Sequence, residues 1–131
     1  MRKFSVRTSQ RQQLVDITRE VQNCVDEDKL ESGLVCVFVP HTTAAVTINE
    51  NADPDVVRDV LHTLEDVVPQ RGNYRHVEGN SDSHVKSSLI APSLTLIVES
   101  GRLQLGTWQS IFFAEFDGPR SRQCWVKTIK G

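Results

Sequence analysis

Apolar and polar residues alternate in short stretches along most of this chain, and a helical period replaces the alternation in only a few places. Lys3 to Thr8 alternates as a half-buried strand does, with Phe4 and Val6 on one face. Thr18 is placed to cap a helix in which Val21, Cys24 and Val25 repeat on one side, and the acidic run Asp26 to Asp28 reads as its solvated end. Gly33 opens Leu34 to Val39, a short run rich in β-branched residues that predicts a strand buried on both faces. Pro40 interrupts it. Beyond Thr42 and Thr43, the residues Ala44, Val46 and Ile48 alternate with Ala45, Thr47 and Asn49, so one face packs and the other presents polar groups.

Asp53-Pro54 starts a second helix: aspartate accepts from free N–H groups, and proline at the first helical position loses no hydrogen bond. Val56, Val57, Val60, Leu61 and Leu64 then keep helical spacing until Pro69, with His62 an exposed residue of this helix. Gln70 to Ser83 is a long polar stretch, and loops of that length in compact domains are usually functional or disordered. Asp82 or Ser83 is expected to cap a short helix with Val85 and Leu89 on one side and Lys86, Ser87 and Ser88 near its positive end. After Pro92, strands are predicted at Leu94 to Glu99, Leu103 to Leu105, Thr107 to Phe116 and Gln123 to Ile129, punctuated by Gly101, Gly106 and Asp117-Gly118-Pro119. Roughly seven strands and three helices give an α+β fold, with a large mixed or antiparallel sheet backed by helices.

Composition narrows the setting. A chain of 131 residues with 38% hydrophobic content buries a core as one domain, residues 1–131, without staples. A formal charge of −2 is too balanced for a protein that binds by neutralising a phosphate backbone, so nucleic acid is not expected as a partner. The N-terminus lacks the apolar run of a secretory signal, and Leu34 to Val39 is too short to span a bilayer. Cys24, Cys36 and Cys124 are odd in number and lack Cys-x-x-Cys spacing, which suits reduced, packed thiols and a cytoplasmic location.

The chemistry concentrates between Pro40 and His84, which holds all four histidines, three of them in polar motifs outside the second helix. His76 and Glu78, like Asp82 and His84, stand two apart, and with His41 at a strand end three imidazoles and two carboxylates can converge on a metal. Separate surface histidines fit the same spacing. Lys86, Ser87 and Arg120 offer donors to a phosphate ester or diphosphate, although no phosphate-cradling glycine loop accompanies them and a capped helix with a surface arginine reads equally well. Asn49, Glu50, Asn51 and Asp53 gather polar groups at a strand exit, with Glu50 free to act as a base or to support a metal ligand. No Gly-x-Ser-x-Gly elbow exists, which argues against a serine nucleophile.

Pro-His-Thr-Thr-Ala-Ala-Val-Thr-Ile-Asn-Glu-Asn-Ala-Asp-Pro-Asp (40 to 55) closely resembles the signature of the YjbQ-like family, often named secondary thiamine-phosphate synthases. His-Val-Glu-Gly-Asn-Ser-Asp-Ser-His-Val-Lys-Ser-Ser-Leu (76 to 89), Leu-Gly-Thr-Trp-Gln (105 to 109) and Glu-Phe-Asp-Gly-Pro-Arg (115 to 120) match in the same order. The resemblance implies a compact α+β fold assembled as a homotrimer. It implies His41, His76 and His84 as ligands of a divalent zinc, manganese or magnesium ion, with Glu50, Asp82 and Arg120 as catalytic groups. It further implies Thr42, Asn49, Asn51, Glu78, Asn80, Lys86, Ser87, Thr107 and Gln109 as contacts to a small phosphorylated or anionic ligand. The activity implied joins a pyrimidine diphosphate to a thiazole phosphate and releases diphosphate; a metal- and anion-binding module without turnover, or a phosphate-ester hydrolase, is the alternative. Ser83 and Ala91 depart from the family pattern, which has alanine and glycine there.

Overall fold

A computed structural model describes all residues, 1–131. The elements are β1 (Arg2–Arg7), β2 (Gln13–Asp16), α1 (Thr18–Glu27), β3 (Gly33–Phe38), β4 (Ala44–Glu50), α2 (Pro54–Val67), α3 (Ser81–Ile90), β5 (Ser93–Glu99), β6 (Arg102–Leu103), β7 (Gln109–Glu115) and β8 (Ser121–Lys130). The fold is α+β. Its strands form two antiparallel sheets in place of one large one, a five-stranded sheet in the order β1-β8-β3-β5-β6 and a three-stranded sheet in the order β2-β7-β4. The strand absent from the sequence reading is β2, whose four residues are too few to show an alternation.

The main core lies where Val35, Val37, Leu96, Val98, Cys124 and Val126 of the larger sheet meet Val46, Ile111 and Phe113 of the smaller one, closed by Val21, Cys24 and Val25 of α1. On its other face the smaller sheet buries Ala45 and Ala114, with Phe116 just past β7, against Leu61 and Leu64 of α2 and Ile90 of α3. Thus β7 is the strand buried on both faces, with every residue from Ile111 to Glu115 inaccessible. The sequence assigned that position to β3. In β3 only alternate residues point inward, while Leu34 and Phe38 are 43% and 38% exposed. Cross-strand neighbours extend that outer surface, with Ile97 and Ile129 beside Leu34 and Trp125 beside Phe38. A half-buried strand and a fully buried one read alike when both are apolar throughout.

The helix α2 starts as its sequence dictates: Asp53 accepts a hydrogen bond from the Asp55 amide at 2.9 Å and Pro54 opens the helix. The helix α3 inverts its expected polarity. Val85 and Leu89 face outward, whereas Ser81, Asp82, Ser83, Lys86 and Ser87 are buried. Its N-cap is Asn80, whose side chain makes no capping bond, and Asp82 and Ser83 lie within the helix. At the other end Ala91 takes φ 96° and ψ 148° while its amide bonds to Ser87 and its carbonyl accepts from Val46. That backbone region belongs almost wholly to glycine, which accounts for the residue type the family pattern places there.

Candidate functional site

His41 follows Pro40, two residues beyond the end of β3 at Phe38. Because Phe38 pairs with Trp125, residue 40 would sit opposite Gln123 on β8, and the ladder stops short of that amide. The Gln123 N–H is instead donated to His41 Nε2 at 2.9 Å, so the imidazole takes the place of a missing strand carbonyl. Burial lowers the pKa of His41 from its ordinary value, and the nearby positive charge of Arg122 lowers it further.

Beneath this corner lies a closed polar network. Arg122 donates from Nε to Glu115 at 2.9 Å and from Nη2 to Thr43 Oγ1 at 2.8 Å, and Thr8 donates to Glu115 at 2.7 Å. Glu115 is inaccessible and Arg122 nearly so, and the pair clamps the 41–43 corner to the end of β7. Gly118 is obligatory in the adjoining turn, because a Cβ there would stand 2.8 Å from both Glu115 Cγ and Thr8 Oγ1.

Above the corner opens a cavity of about 650 Å³ lined by His41, Thr42, Glu78, Asn80, His84 and Arg120, among others. Arg120 is fixed at its margin by its own turn, donating from Nε to the Asp117 carbonyl at 2.8 Å and from Nη2 to the Asp117 carboxylate at 3.0 Å. The same carboxylate accepts from Asn80 Nδ2 at 2.9 Å, which turns Asn80 Oδ1 away, buried and without a donor. A second cavity of about 270 Å³ shares His41, Thr42 and His84 and adds Ser87, whose hydroxyl is donated to the Ser83 carbonyl at 2.8 Å. A larger groove of about 790 Å³ between α1 and β6 contains no histidine and none of the residues expected at the site.

The expected ligand set does not close around a metal ion in this chain. His84 lines the cavity with His41, and His76 packs edge-on against His84 with ring centroids 5.4 Å apart. His76 Nδ1 is 2.9 Å from Ser81 Oγ, and His41 Nε2 is occupied by Gln123. No three His, Cys, Asp or Glu side chains stand close enough to share an ion.

Other expected residues sit elsewhere. Asp82 and Lys86 are wholly buried in an ion-pair chain. Arg11 donates to both Asp82 oxygens at 2.9 and 3.2 Å, and Lys86 Nζ reaches Asp82 at 3.0 Å and Glu65 at 2.7 Å. Lys86 is therefore committed to tying α3 to α2 and has no face toward the cavity. Glu50 pairs with Gln109 at the far end of β4, and six residue steps of strand put it about 20 Å from Ala44 and the His41 corner. Its neighbours are there too: Asn49 accepts from the Glu50 amide, Asn51 donates to Asp16 at 2.7 Å, Gln109 accepts from the Gly106 amide, and Thr107 is exposed in the intervening turn. Sequence reading missed Asp117, Thr43 and Gln123. Asp117 was within reach, because it stands in the same Asp-Gly-Pro-Arg turn as Arg120.

Comparison with known proteins places the whole chain. Residues 2–131 match the family model described as UPF0047 protein YjbQ-like. A UPF0047 protein of Methanocaldococcus jannaschii is 50% identical over 127 residues, covering 97% of this chain and 92% of the relative. The Bacillus subtilis UPF0047 protein YugU is 48% identical, covering 98% of each chain. Among solved structures, an uncharacterised conserved protein of the YjbQ/UPF0047 family from Clostridium acetobutylicum superposes with a TM-score of 0.97 at 53% identity, covering 98% of this chain and all of that one. A conserved hypothetical protein from Thermus thermophilus gives 0.91 at 45% identity, again covering 98% and 100%.

Proposed function

We propose that this chain, which belongs to the YjbQ-like UPF0047 family, binds a small phosphorylated ligand in the cavity between His41, His84 and Arg120. The observation that carries the reading is Arg120. Asp117 holds its guanidinium through Nε and Nη2 and leaves Nη1 without a protein partner at the cavity margin. A guanidinium oriented in this way suits phosphate oxygens. The N-terminus of α3 supports it, because no side chain caps the helix and Asn80 lines the same cavity.

The reaction proposed is the one the resemblance implies: a thiazole phosphate displaces diphosphate from a pyrimidine diphosphate. Negative charge gathers on the departing diphosphate as the carbon–oxygen bond breaks, and Arg120 is the side chain to receive it. The donors available fit a hard ion bound partly by phosphate better than a three-histidine zinc site. Asn80 Oδ1 is buried without a donor and Glu78 lines the same cavity, and together they would hold magnesium or manganese. Such an ion would neutralise diphosphate oxygens. The distance of Glu50 from the cavity favours a second reading, a binding module without turnover, since no general base from that cluster reaches the ligand.

Self-association belongs to the same proposal. Leu34, Phe38, Ile97 and Ile129 make an apolar outer face on the five-stranded sheet, and exposed patches of that kind mark contacts between chains. Phe38 also lines the cavity, so copies assembled there, as the homotrimer the resemblance implies, would border the site. The function is tested by incubating the protein and magnesium or manganese with the two phosphorylated precursors, then measuring thiamine phosphate and diphosphate by mass spectrometry. Formation of both supports the synthase; diphosphate binding without turnover selects the binding module.

A further inference from the structure

We infer that His41 serves the ligand as a neutral imidazole that donates a hydrogen bond from Nδ1 to a phosphate oxygen, and serves neither as a metal ligand nor as a general base. The inference rests on the phosphorylated ligand proposed above and assigns one residue its protonation and its role.

The tautomer follows from the hydrogen-bond count. A neutral imidazole carries one N–H and one lone pair, and the other nitrogen must hold the proton when one accepts. His41 Nε2 accepts the Gln123 amide, a donor with no alternative orientation because a backbone N–H is fixed in place by its peptide plane. The proton therefore sits on Nδ1, which has no partner in the protein, on a ring that walls the cavity. Protonating Nε2 would set two donors against each other in the same contact. Metallating it would release the Gln123 amide, which lies beyond the end of β3 and has no strand carbonyl to return to. Turning the ring to exchange its nitrogens would carry Nε2 away from the Gln123 amide, so the observed orientation is the one that keeps this contact. A neutral donor beside Arg120 gives a phosphate ester a second contact without adding charge, so the site can release diphosphate more easily than two cations would allow.

The test uses the full-length protein. Long-range ¹H–¹⁵N correlation of the ring nitrogens at neutral pH is expected to show His41 as the Nδ1–H tautomer. Diphosphate titrations then compare three variants. His41→Asn places an amide N–H near the position of Nδ1 and is expected to bind within about threefold of wild type, whereas His41→Ala and His41→Gln weaken binding by about tenfold. Melting curves identify any variant that fails to fold, and for such a variant the tautomer measurement on wild type decides. An Nε2–H tautomer, an imidazolium at neutral pH, or undiminished diphosphate binding by His41→Ala overturns the inference. If wild type shows the Nδ1–H tautomer yet binds no diphosphate, the phosphate-site reading fails and the ligand role of His41 falls with it.

Discussion

Lys86 Nζ lies 3.0 Å from the Asp82 carboxylate one helical turn earlier on α3, and both side chains are wholly excluded from water. Breaking a buried ion pair leaves its partner charged and desolvated. Lys86→Ala is therefore expected to lower stability by roughly 3–5 kcal/mol, measured as a fall in the urea midpoint with little change in slope. A loss below about 1 kcal/mol, as exposed pairs give, would show that the network is hydrated.

Acid should act through the same network. The hydrogen bond from Lys86 holds Glu65 below its ordinary value of 4.5. Burial pushes Asp82 upward, but Arg11 and Lys86 together outweigh it and leave Asp82 below 3.8. Groups with folded values held down contribute stability that is present above their unfolded pKa and is lost as pH falls through the folded one. Melting temperature is expected to hold down to the ordinary carboxylate range and to drop below it, with Lys86→Met showing a shallower acid dependence. Equal acid sensitivity in both proteins would count against this coupling.

Ala91 at φ 96° offers a change in the opposite direction. Glycine adopts that backbone without strain, so Ala91→Gly is expected to raise stability by roughly 1–2 kcal/mol, offset in part by the greater freedom of the unfolded chain. Thermal unfolding checks it, and a destabilised variant would mean that the strain is relieved elsewhere.

For the outer sheet face, Ile97 is the central position, cross-strand from Leu34 and 56% exposed. Ile97→Lys puts a charge in the middle of the proposed contact and is expected to dissociate the assembly without unfolding the chain. Light scattering at micromolar concentration reads the mass; a wild-type monomer would remove this face from consideration.

Arg120→Ala is expected to weaken diphosphate binding by about tenfold or more, whereas Glu50→Gln, about 20 Å along β4 from the cavity, should leave it within twofold. Titration calorimetry on both variants separates the two ends of that strand. Equal losses would mean that Glu50 reaches a site the single chain does not display.

The start of α2 was legible because its signals are local: aspartate caps and proline fills the first position whatever surrounds them. The apolar side of α1 was legible because Val21, Cys24 and Val25 meet a single core. In α3 the periodicity pointed the wrong way, since charges from Arg11 and Glu65, distant in sequence, make burial of Asp82 and Lys86 tolerable. The sequence by itself determined the family, the α+β class and the turn that carries Arg120, all set by residues close together in the chain. Only the tertiary structure decided that β7 rather than β3 is enclosed on both faces, and that Gln123 takes one nitrogen of His41. Those outcomes depend on strand order and register, which pair residues through space and leave no periodic trace along the chain.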